Sequence, residues 1–540
     1  MLFLRSTGPE DPTNALWAIN TLTGTERVIV DPRKFVDDQD GELPAAELAR
    51  RERARESAGG ITTYSLNSQG SRVTFTLGAE IVVADVDNGS LTSMTSTGAG
   101  FDPRLSADGR YVSFVVEDSL HVALADGSEP ARVLLQGDGK TVTWGSAEFV
   151  AAEEMRRSRG HWWDPNNDRL VVARVDVADV NLWHISAPED PAKSPQTVRY
   201  PAAGTSNADV ELWLVNVHDA TQIQVTWDRS THPYLVDVRW EDGSPLTVTV
   251  QSRDQRSMWV LEVEESSGDT NPVLALDDPD WVEIVPGTPR KWNGGWLTIE
   301  DNGHTRSLLH DGTPLSGPDQ WVRSLVDVDD AKLLYTASID PTIIDLWSYS
   351  DNQNECLTSG NGVVQAVASK SVTIIEQSSL ESSPRVAVEA RDAWQATPMV
   401  TPAVELLQTE SSGIHTAVLF PTDGCDEPLP VLLDPYGGPH AQRVLRTHNA
   451  YLVSQWFADQ GFCVVIADGP GTPGRGDGWE RSVRGNLAHP VLEAQIEALQ
   501  SVAERHPDRV DLTRVGIRGW SFGGYLAALA VIRRPDIFHA

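Results

Sequence analysis

Cysteine is scarce in this sequence: the chain of 540 residues has three, widely spaced at Cys356, Cys425 and Cys463. An odd number of distant thiols excludes a disulfide framework and the Cys-x-x-Cys pairs of a structural zinc site. Long apolar runs are also missing, because no stretch of about 18 apolar residues occurs and the first residues hold no signal-peptide core. We therefore expect a cytoplasmic protein, although its natural start can lie upstream of Met1.

Basic residues are few relative to acidic ones, with 43 Lys and Arg against 77 Asp and Glu and a net charge of −34. Such a field repels phosphate backbones and anionic lipids, so we expect neither nucleic acid nor membrane as a partner. A solvated carboxylate surface that aids solubility explains this charge well. The sequence gives no reason to expect a cofactor or a metal ion. Its length favours roughly two to four domains.

Long amphipathic helices are missing from the first 400 residues, where short strand-like runs follow turn dipeptides. Examples lie at 71–76, 110–116 and 169–174. Their spacing suits propeller blades of about 40 to 50 residues, so we predict a β-propeller domain over 1–400, with the number of blades open. An array of β-sandwiches is the alternative. One helix is predicted over 42–57, where charged residues and good helix formers dominate.

The pattern changes near residue 401 to continuous apolar strands separated by helical stretches. Predicted strands lie at 430–434, 462–468 and 514–518, with a helix over 490–504. Buried strands that alternate with helices indicate a parallel α/β sheet. We therefore predict that 401–540 form the N-terminal part of an α/β-hydrolase domain.

The strongest chemical motif is a G-x-S-x-G pattern at 519–523, with Ser521 at its centre. It follows a predicted strand and precedes an apolar helix over 525–532, as a nucleophile elbow requires. Flanking glycines relieve crowding in the turn, and the helix N-terminus favours negative charge. Ser521 is the predicted nucleophile, and an ordinary Gly/Ser turn is the alternative.

Two further segments of this domain carry glycines. The strand that ends at Asp434 leads into Tyr436 and a Gly-Gly loop, where α/β-hydrolases place an oxyanion donor. Tyr436 and the backbone N–H of Phe522 are the predicted donors. A G-x-G-x-x-G pattern at 469–474 matches dinucleotide binding, but prolines and no apolar helix follow it, so we interpret it as a surface loop.

A pair of adjacent carboxylates, Glu153 and Glu154, follows an apolar run in the β-rich region. Adjacent acids are usually surface charge. When they converge in a cavity they repel one another, and a substrate ammonium relieves that repulsion. The pair is therefore a candidate receptor for a peptide N-terminus.

Taken together, these segments resemble the dipeptidyl peptidase IV branch of the prolyl oligopeptidase family of serine peptidases, over nearly the whole chain. The resemblance rests on the Ser521 motif, the Tyr436 loop and the Glu153–Glu154 pair with Trp162 and Trp163 after it. The Arg-rich helix followed by Ile-Thr-Thr-Tyr at 61–64 is most similar to the intracellular dipeptidyl peptidase 8 and 9 type.

The resemblance implies a β-propeller joined to an α/β-hydrolase that removes N-terminal dipeptides with proline or alanine in second position. It assigns the substrate amine to Glu153 and Glu154, and the substrate carbonyl to Arg55. Two extended residues span about 7 Å, so an amine anchor at a fixed distance from the nucleophile would act as a ruler. Expected partners are peptides with a free N-terminus, and the resemblance is also compatible with a homodimer of the full-length parent.

The histidine base and its aspartate are expected after the serine in this fold, yet only 19 residues follow Ser521. His539 lies just after the elbow helix and is a poor candidate, while His440 and His489 precede the serine. We therefore expect a fragment that ends inside the catalytic domain and has little or no peptidase activity. Its start also resembles the middle of a propeller strand pair.

Two alternatives stay open from the sequence. An acylaminoacyl peptidase or an endo-acting oligopeptidase would share this architecture but would not need a free substrate amine. A non-catalytic propeller protein that binds peptides and keeps a vestigial hydrolase half would need no base at all, because a serine without a base is a weak nucleophile.

Overall fold

Short apolar runs separated by tight turns make most of this chain β-structure. The computed structural model describes residues 1–8, 10–35, 43, 45–53, 56–94, 99–166, 168–188, 190–303, 305–358, 360–369, 372–388, 391–395 and 400–540. The chain divides into two compact units, Met1–Val282 and Glu283–Ala540. Among the helices in the described ranges, none combines the length and the apolar character that crossing a membrane requires.

The first unit begins with three mainly antiparallel sheets, each built mainly from strands that follow one another in the chain. The first holds β1 (Leu2–Arg5), β2 (Thr13–Ile19), β3 (Glu26–Val30) and β4 (Gly59–Gly60), which runs parallel to β2. The second holds β5 (Ser65–Leu66), β6 (Arg72–Leu77), β7 (Glu80–Asp85) and β8 (Leu91–Met94). The third holds β9 (Gly100–Leu105), β10 (Tyr111–Val116), β11 (Ser119–Leu124) and β12 (Arg132–Leu135). A 3-10 turn (Pro32–Lys34) and helix α1 (Ala45–Arg53) lie between β3 and β4.

Two more sheets complete this unit. The fourth contains β13 (Val142–Trp144), β14 (His161–Trp163), β15 (Arg169–Asp176), β18 (Asp209–Asn216) and β19 (Gln222–Val225). Helix α2 (Phe149–Glu154) is inserted between β13 and β14, and a separate hairpin, β16 (Leu182–Ile185) with β17 (Gln196–Arg199), is inserted between β15 and β18. The fifth contains β20 (Tyr234–Arg239), β21 (Thr247–Gln251), β22 (Ser257–Val263) and β23 (Thr270–Asp277).

Branched apolar side chains explain the stability of these sheets. Val171, Leu212 and Val248 are fully buried in one core cluster that spans the fourth and fifth sheets. β-branched residues fit the pleated surface, and removal of their side chains from water is the main driving force of packing. The predicted strands at 71–76, 110–116 and 169–174 are observed as β6, β10 and β15, with ends that differ by at most two residues.

The second unit begins with two further sheets of the same kind. An eight-stranded sheet contains β24 (Arg290–Trp292), β25 (Gly295–Asp301), β26 (Arg306–His310), β27 (Thr313–Pro314), β28 (Trp321–Val328), β29 (Lys332–Ser338), β30 (Asp345–Ser350) and β31 (Gln353–Cys356). Its two halves meet only at one parallel pair, Arg306 with Trp321. A four-stranded sheet contains β32 (Gly362–Ser369), β33 (Val372–Ser379), β34 (Arg385–Val388) and β35 (Arg391–Gln395).

A five-stranded α/β sheet follows in the same unit. Its strands are β36 (Val404–Gln408), β37 (His415–Leu419), β38 (Leu429–Leu433), β39 (Cys463–Asp468) and β40 (Val510–Ile517), in the order 36-37-39-38-40. Strands β39, β38 and β40 run parallel, so their carboxyl ends lie at one edge of the sheet. In open α/β sheets this edge is where ligands bind.

Helices pack on this sheet. They are a 3-10 turn (Asn449–Tyr451), α3 (Leu452–Asp459), α4 (Asp477–Arg481), α5 (His489–Arg505) and α6 (Phe522–Arg533). One core cluster joins Val431 and Val465 of the strands to Leu499 of α5 and Leu526 of α6, all at most 2% exposed. The predicted helices over 490–504 and 525–532 are therefore observed as α5 and α6. The predicted domain boundary between 400 and 401 stays a prediction.

Candidate active site

Ser521 lies on a strained turn between β40 and α6. It is the residue before the first turn of α6, with φ 52° and ψ −118°, and its side chain is exposed. A positive φ is costly for a residue with a Cβ, and such strain persists only where the surrounding structure enforces it. The N-terminus of the 12-residue helix α6 lies directly beside this serine and favours negative charge there.

Two glycines make this turn possible. A Cβ on Gly519 would lie 2.1 Å from the carbonyl carbon of Gly523, and a Cβ on Gly523 would lie 2.4 Å from the carbonyl oxygen of Pro435. Neither distance leaves room for a side chain. The turn is closed by the N–H of Gly523, which donates to the carbonyl of Trp520 at 2.9 Å. Close packing therefore requires glycine at both positions of the motif.

The loop after β38 packs directly against this elbow. Besides the contact of Pro435 with Gly523, the ring of Tyr436 lies 6.0 Å from the ring of Phe522, measured between centroids. A Cβ on Gly438 would lie 2.3 Å from the Phe522 ring. The structure thus brings together two of the residues predicted for the oxyanion site, Tyr436 and Phe522. Tyr436 is half-buried.

Asp434 joins the same two segments through its side chain, which is only 7% exposed. Its Oδ1 lies 3.4 Å from Nε of Arg518, the residue before the elbow motif. Its Oδ2 accepts hydrogen bonds from Nη2 of Arg443 and Oγ of Ser454, both at 3.2 Å. Sequence reasoning missed this role, and the only available signal was an acidic residue at the end of a core strand.

Asp468 occupies the equivalent place at the end of β39 and is 1% exposed. Its carboxylate accepts the backbone N–H groups of Arg443 and Val444 at 2.7 to 3.1 Å. Burial raises the pKa of Asp468 to about 6, because loss of water disfavours the charged form. Asp434 and Asp468 together fix the segment that follows Tyr436.

The segment 469–474 is not the surface loop that the sequence indicated. Thr472 is fully buried, and a Cβ on Gly474 would lie 2.2 Å from the guanidinium of Arg323. A short helix, α4, does follow it, with five residues. The glycines are required by close packing, which the Gly/Pro composition alone does not distinguish from a flexible loop.

Glu480 of α4 holds this segment in place. Its Oε1 accepts the N–H of Gly474 at 3.1 Å, and its Oε2 pairs with Nη2 of Arg306 at 3.2 Å. Burial raises the pKa of Glu480 to about 7. Arg306 also pairs with Asp301 at 2.8 Å and stacks over Trp321 at 4.5 Å. This is a buried ionic network that sequence reasoning did not find.

The histidines named in the sequence are not hydrogen-bonded to the serine in the part of the chain that the structure describes. Among those residues, no hydrogen bond joins Ser521 to His440, His489 or His539. The N–H of His539 donates to the carbonyl of Val515 at 2.8 Å, and the N–H of Val515 donates to Nδ1 of His539 at 3.1 Å. His539 is therefore engaged with the backbone of β40.

Glu153 and Glu154 lie at the end of α2 in the first unit, and both side chains are exposed. The carboxylate of Glu148 caps the helix by accepting the N–H groups of Val150 and Ala151 at 2.5 and 2.7 Å. After the helix, the N–H of Arg157 donates to the carbonyl of Ala151 at 3.0 Å. The two carboxylates are thus on a short, capped helix.

The segment after α2 contains three arginines, of which Arg157 is buried. Arg157 is 5% exposed, its Nε donates to the carbonyl of Leu235 at 3.1 Å, and burial lowers the pKa of its guanidinium. Arg159 lies over Trp162 at 5.3 Å.

His161 is fully buried, with Nδ1 2.8 Å from the carbonyl of Gly145, and burial lowers its pKa to about 4. Trp162 is buried and Trp163 half-buried.

The charged helix predicted over 42–57 is observed as α1, Ala45–Arg53. Arg55, predicted to contact the substrate carbonyl, lies outside the described residues. Glu47 of α1 is 3% exposed and pairs with Arg50 and Arg51 at 2.7 and 2.8 Å, so this helix is not simply a solvated face. Within the described ranges, no group of three or more His, Cys, Asp or Glu side chains is arranged to hold a metal ion.

Two models of known families match parts of this chain. A model described as the dipeptidyl peptidase IV N-terminal region matches residues 62–384, well over half of the chain, and the prolyl oligopeptidase family model matches residues 448–540. The chain belongs to the dipeptidyl peptidase IV branch of the prolyl oligopeptidase family. The family predicted from the sequence is thereby confirmed.

Relatives in this family are distant. A putative dipeptidyl aminopeptidase of Schizosaccharomyces pombe is 24% identical over 501 residues, which are 80% of this chain and 61% of the relative. Dipeptidyl peptidase 8 of Mus musculus is 22% identical over 626 residues, covering 90% of this chain and 69% of the relative. This chain thus spans less than two thirds of the length of the first relative.

A solved structure agrees in fold. The crystal structure of Porphyromonas gingivalis dipeptidyl peptidase 4 superposes with a TM-score of 0.79 at 21% identity, over 99% of this chain and 81% of that chain. The predicted fold class, a β-propeller followed by an α/β-hydrolase region, is confirmed. Family membership makes the chain part of a serine hydrolase family of the peptidase type. The site assignments for Ser521, Tyr436, Phe522, Glu153, Glu154 and Arg55 stay predictions.

Proposed function

We propose that this chain carries the nucleophile and the substrate-amine receptor of a serine exopeptidase that releases N-terminal dipeptides with proline or alanine in second position. The observation that carries the proposal is the strained turn at Ser521, with Gly523 packed on Pro435 of the Tyr436 loop. A turn of this kind is expected where a serine must project from the sheet edge. Names of the relatives support the dipeptidyl specificity.

In the proposed reaction the Oγ of Ser521 attacks the carbonyl carbon of the second residue and forms an ester with the dipeptide as the amine leaves. The developing oxyanion accepts hydrogen bonds from the N–H of Phe522 and the hydroxyl of Tyr436, and the nearby end of α6 stabilises the charge. Water then hydrolyses the ester and frees the dipeptide. Arg443 and Asp434 hold the Tyr436 loop in place, since their contacts fix its two ends.

Proton transfer to and from Ser521 needs a base. In this fold a histidine that follows the serine, oriented by an aspartate, takes this role. Because His539 is bonded to β40, we propose that the base is supplied from outside residues 1–540 and that these residues alone give little or no turnover. Measurable Ser521-dependent turnover by the 540 residues would contradict this part of the proposal.

Substrate selection is proposed to depend on the free amine. An ammonium group between Glu153 and Glu154 would form charge-assisted hydrogen bonds, which are among the stronger polar contacts in proteins. The Glu153→Gln/Glu154→Gln protein should therefore show a KM raised by about 10- to 100-fold for a Gly-Pro reporter, at a nearly unchanged kcat.

The test uses the full reading frame that contains these residues. Release of Gly-Pro from a free-amine reporter is compared with cleavage of the same reporter carrying an N-acetyl group. Faster cleavage of the acetylated reporter would contradict dipeptide release and would favour an acylaminoacyl peptidase or an endo-oligopeptidase. Peptide binding without any turnover would favour a non-catalytic peptide-binding protein.

A reducing cytoplasmic location belongs to the same proposal. It is supported by the three thiols, none of which is paired with another: Cys356 is exposed, Cys425 is half-buried and Cys463 is buried. Exposed unpaired thiols are typical of proteins kept in reducing compartments. Fractionation of the cells that make the protein tests this point.

A further inference from the structure

The amine-receptor helix α2 is too short to hold its own position. It has six residues, and isolated helices of this length are not stable in water, because the cost of the first turn is not recovered. Contacts from the surrounding structure must therefore set its place and its rotation. The Glu148 cap and the backbone bond of Arg157 act on its backbone at the two ends.

Besides the packing of its buried residue Ala151, one further contact acts on a side chain of α2: Phe149 forms an aromatic cluster with Tyr200 and Trp183. The ring of Tyr200 meets the ring of Phe149 edge-on, with centroids 5.2 Å apart and planes at 72°. The ring of Trp183 meets Tyr200 in the same way, at 5.2 Å and 66°. Edge-to-face pairs at such distances are attractive and directional. Tyr200 thus connects α2 to the β16–β17 hairpin.

Backbone hydrogen bonds connect Tyr200 to the hairpin. The N–H of Tyr200 donates to the carbonyl of Asn181 at 2.9 Å, which continues the β16–β17 ladder by one pair. The guanidinium of Arg199 donates to the carbonyls of Ala178 and Val180 at 3.0 and 2.7 Å. Side chains alternate along a strand, so Tyr200 shares one face of the hairpin with Trp183.

The contact between Tyr200 and Phe149 affects the position of the Glu153 carboxylate through the geometry of the helix. Phe149 and Glu153 are four residues apart, so they lie on the same side of α2, one turn from each other. A rotation of the helix that moved Phe149 would move Glu153 by a similar angle. The position of the Tyr200 ring therefore limits where the Glu153 carboxylate points.

We propose that Tyr200 is a positioning residue for the amine receptor: its ring, held between Trp183 and Phe149, sets the rotation of α2 and the direction of Glu153. The role of Glu153 itself rests on the proposed function, while the effect of Tyr200 on the helix does not. Tyr200 is 39% exposed and Trp183 is 48% exposed, so this support is built at the protein surface.

Amide hydrogen exchange of residues 148–157 tests the positioning claim without any turnover. Loss of the ring in Tyr200→Ala should speed exchange in this segment by about fivefold, whereas Tyr200→Phe, which keeps the ring, should leave it within about twofold. Exchange in β15 is the internal control. Equal rates for α2 in the unsubstituted protein and in Tyr200→Ala would overturn the proposal.

If Tyr200→Ala also speeds exchange in β15, its effect is not confined to α2 and a second variant is needed. The Tyr200→Leu protein serves this purpose, because it keeps apolar bulk and removes the ring. Faster exchange confined to 148–157 in that protein supports the proposal, and protection equal to that of the unsubstituted protein overturns it.

Kinetics of the full reading frame test the link to the substrate amine. Tyr200→Ala should raise KM for the Gly-Pro reporter by about fivefold with little change in kcat, and Tyr200→Phe should not. In the Glu153→Gln/Glu154→Gln background the further effect of Tyr200→Ala should vanish, since coupled residues are not additive. If Tyr200→Ala still raised KM by the full fivefold in that background, the proposed link between Tyr200 and the substrate amine would be overturned. Absence of turnover in the unsubstituted protein would instead refute the proposed function. The exchange measurement would still test whether Tyr200 positions α2.

Discussion

Asp434 and Arg518 form an ion pair, with Oδ1 and Nε 3.4 Å apart, that joins the end of β38 to the residue before the elbow motif. Each of these residues leads directly into a segment of the candidate site, Asp434 into the Tyr436 loop and Arg518 into the Ser521 turn. The pair therefore ties the predicted oxyanion donor to the predicted nucleophile, in addition to the packing of Gly523 on Pro435.

Loss of Asp434 should be strongly destabilising. The Asp434→Ala protein would leave Arg443, Arg518 and Ser454 without their shared carboxylate partner. Because both arginines are partly exposed to water, we expect this loss to cost about 1 to 3 kcal/mol. Urea unfolding of the 540-residue chain measures this loss. Asp423→Ala, at an exposed position, is the control and should change the unfolding free energy by about 0.5 kcal/mol or less. Equal stability of the two proteins would contradict the role of Asp434.

Two neighbouring glycines of α6 should respond in opposite ways to the same substitution. Gly523→Ala places a Cβ 2.4 Å from the carbonyl oxygen of Pro435, so the elbow and the Tyr436 loop must separate, at a cost of about 2 kcal/mol or more. Gly524→Ala meets only the carbonyl of Gly519 at 3.4 Å, and alanine favours the helix by up to about 1 kcal/mol. Urea unfolding of both proteins checks this contrast, and a tolerated Gly523→Ala would contradict the packing.

These residues also show what the sequence could predict. The Ser521 turn was predictable because strand, glycines, serine and helix all lie within a few residues of one another. Asp434 was not, because its partner Arg518 is distant in the chain and an acid at a strand end has no unique meaning. The alternation of short strands predicted the β-rich architecture, but spacing alone left its competitors open.

The segment 469–474 shows a different limit. Glycine and proline predict turns, and turns are usually exposed, which led to the surface-loop interpretation. Tertiary contacts bury it: Arg323 and Glu480 contact Gly474, and their positions depend on the fold. Tyr200 and Phe149 were missed for the same reason, because two aromatic rings far apart in the chain give no local pattern.

Stability should depend on pH through Glu480. Its pKa is raised from the ordinary value of 4.5 to about 7 by burial, so the folded chain binds a proton more tightly than the unfolded one. The resulting stabilisation is fully present below about pH 4.5 and is lost as the pH rises through about 7. The groups facing Glu480 are Arg306, Arg323, Asp301 and Glu283.

Glu480→Gln removes this titration and should reduce the loss of unfolding free energy between pH 5 and pH 8 by about 1 to 3 kcal/mol. Urea unfolding at both pH values gives the comparison. Asp468, whose pKa burial raises to about 6, adds a loss of the same sign and is unaffected by the Glu480 substitution. An identical pH dependence in the Glu480→Gln protein would contradict the assignment.

Tyr436 should affect the chemical step and not substrate binding. In the full reading frame, Tyr436→Phe removes the hydroxyl proposed as one oxyanion donor and should lower kcat by about 100-fold with KM nearly unchanged. Tyr525→Phe is a matched control, since Tyr525 also contacts the Phe522 ring, at 5.4 Å between centroids, and has no role in the proposed reaction. An equal effect of both substitutions would contradict the oxyanion role.

The most direct test of the central claim is the rate of Gly-Pro release from a free-amine reporter by the full reading frame, with and without Ser521. The account predicts turnover in the unsubstituted protein, a loss of at least about 1,000-fold in Ser521→Ala, and full activity in Ser244→Ala, an exposed serine in a turn of the first unit. Turnover that persists in Ser521→Ala would contradict the account.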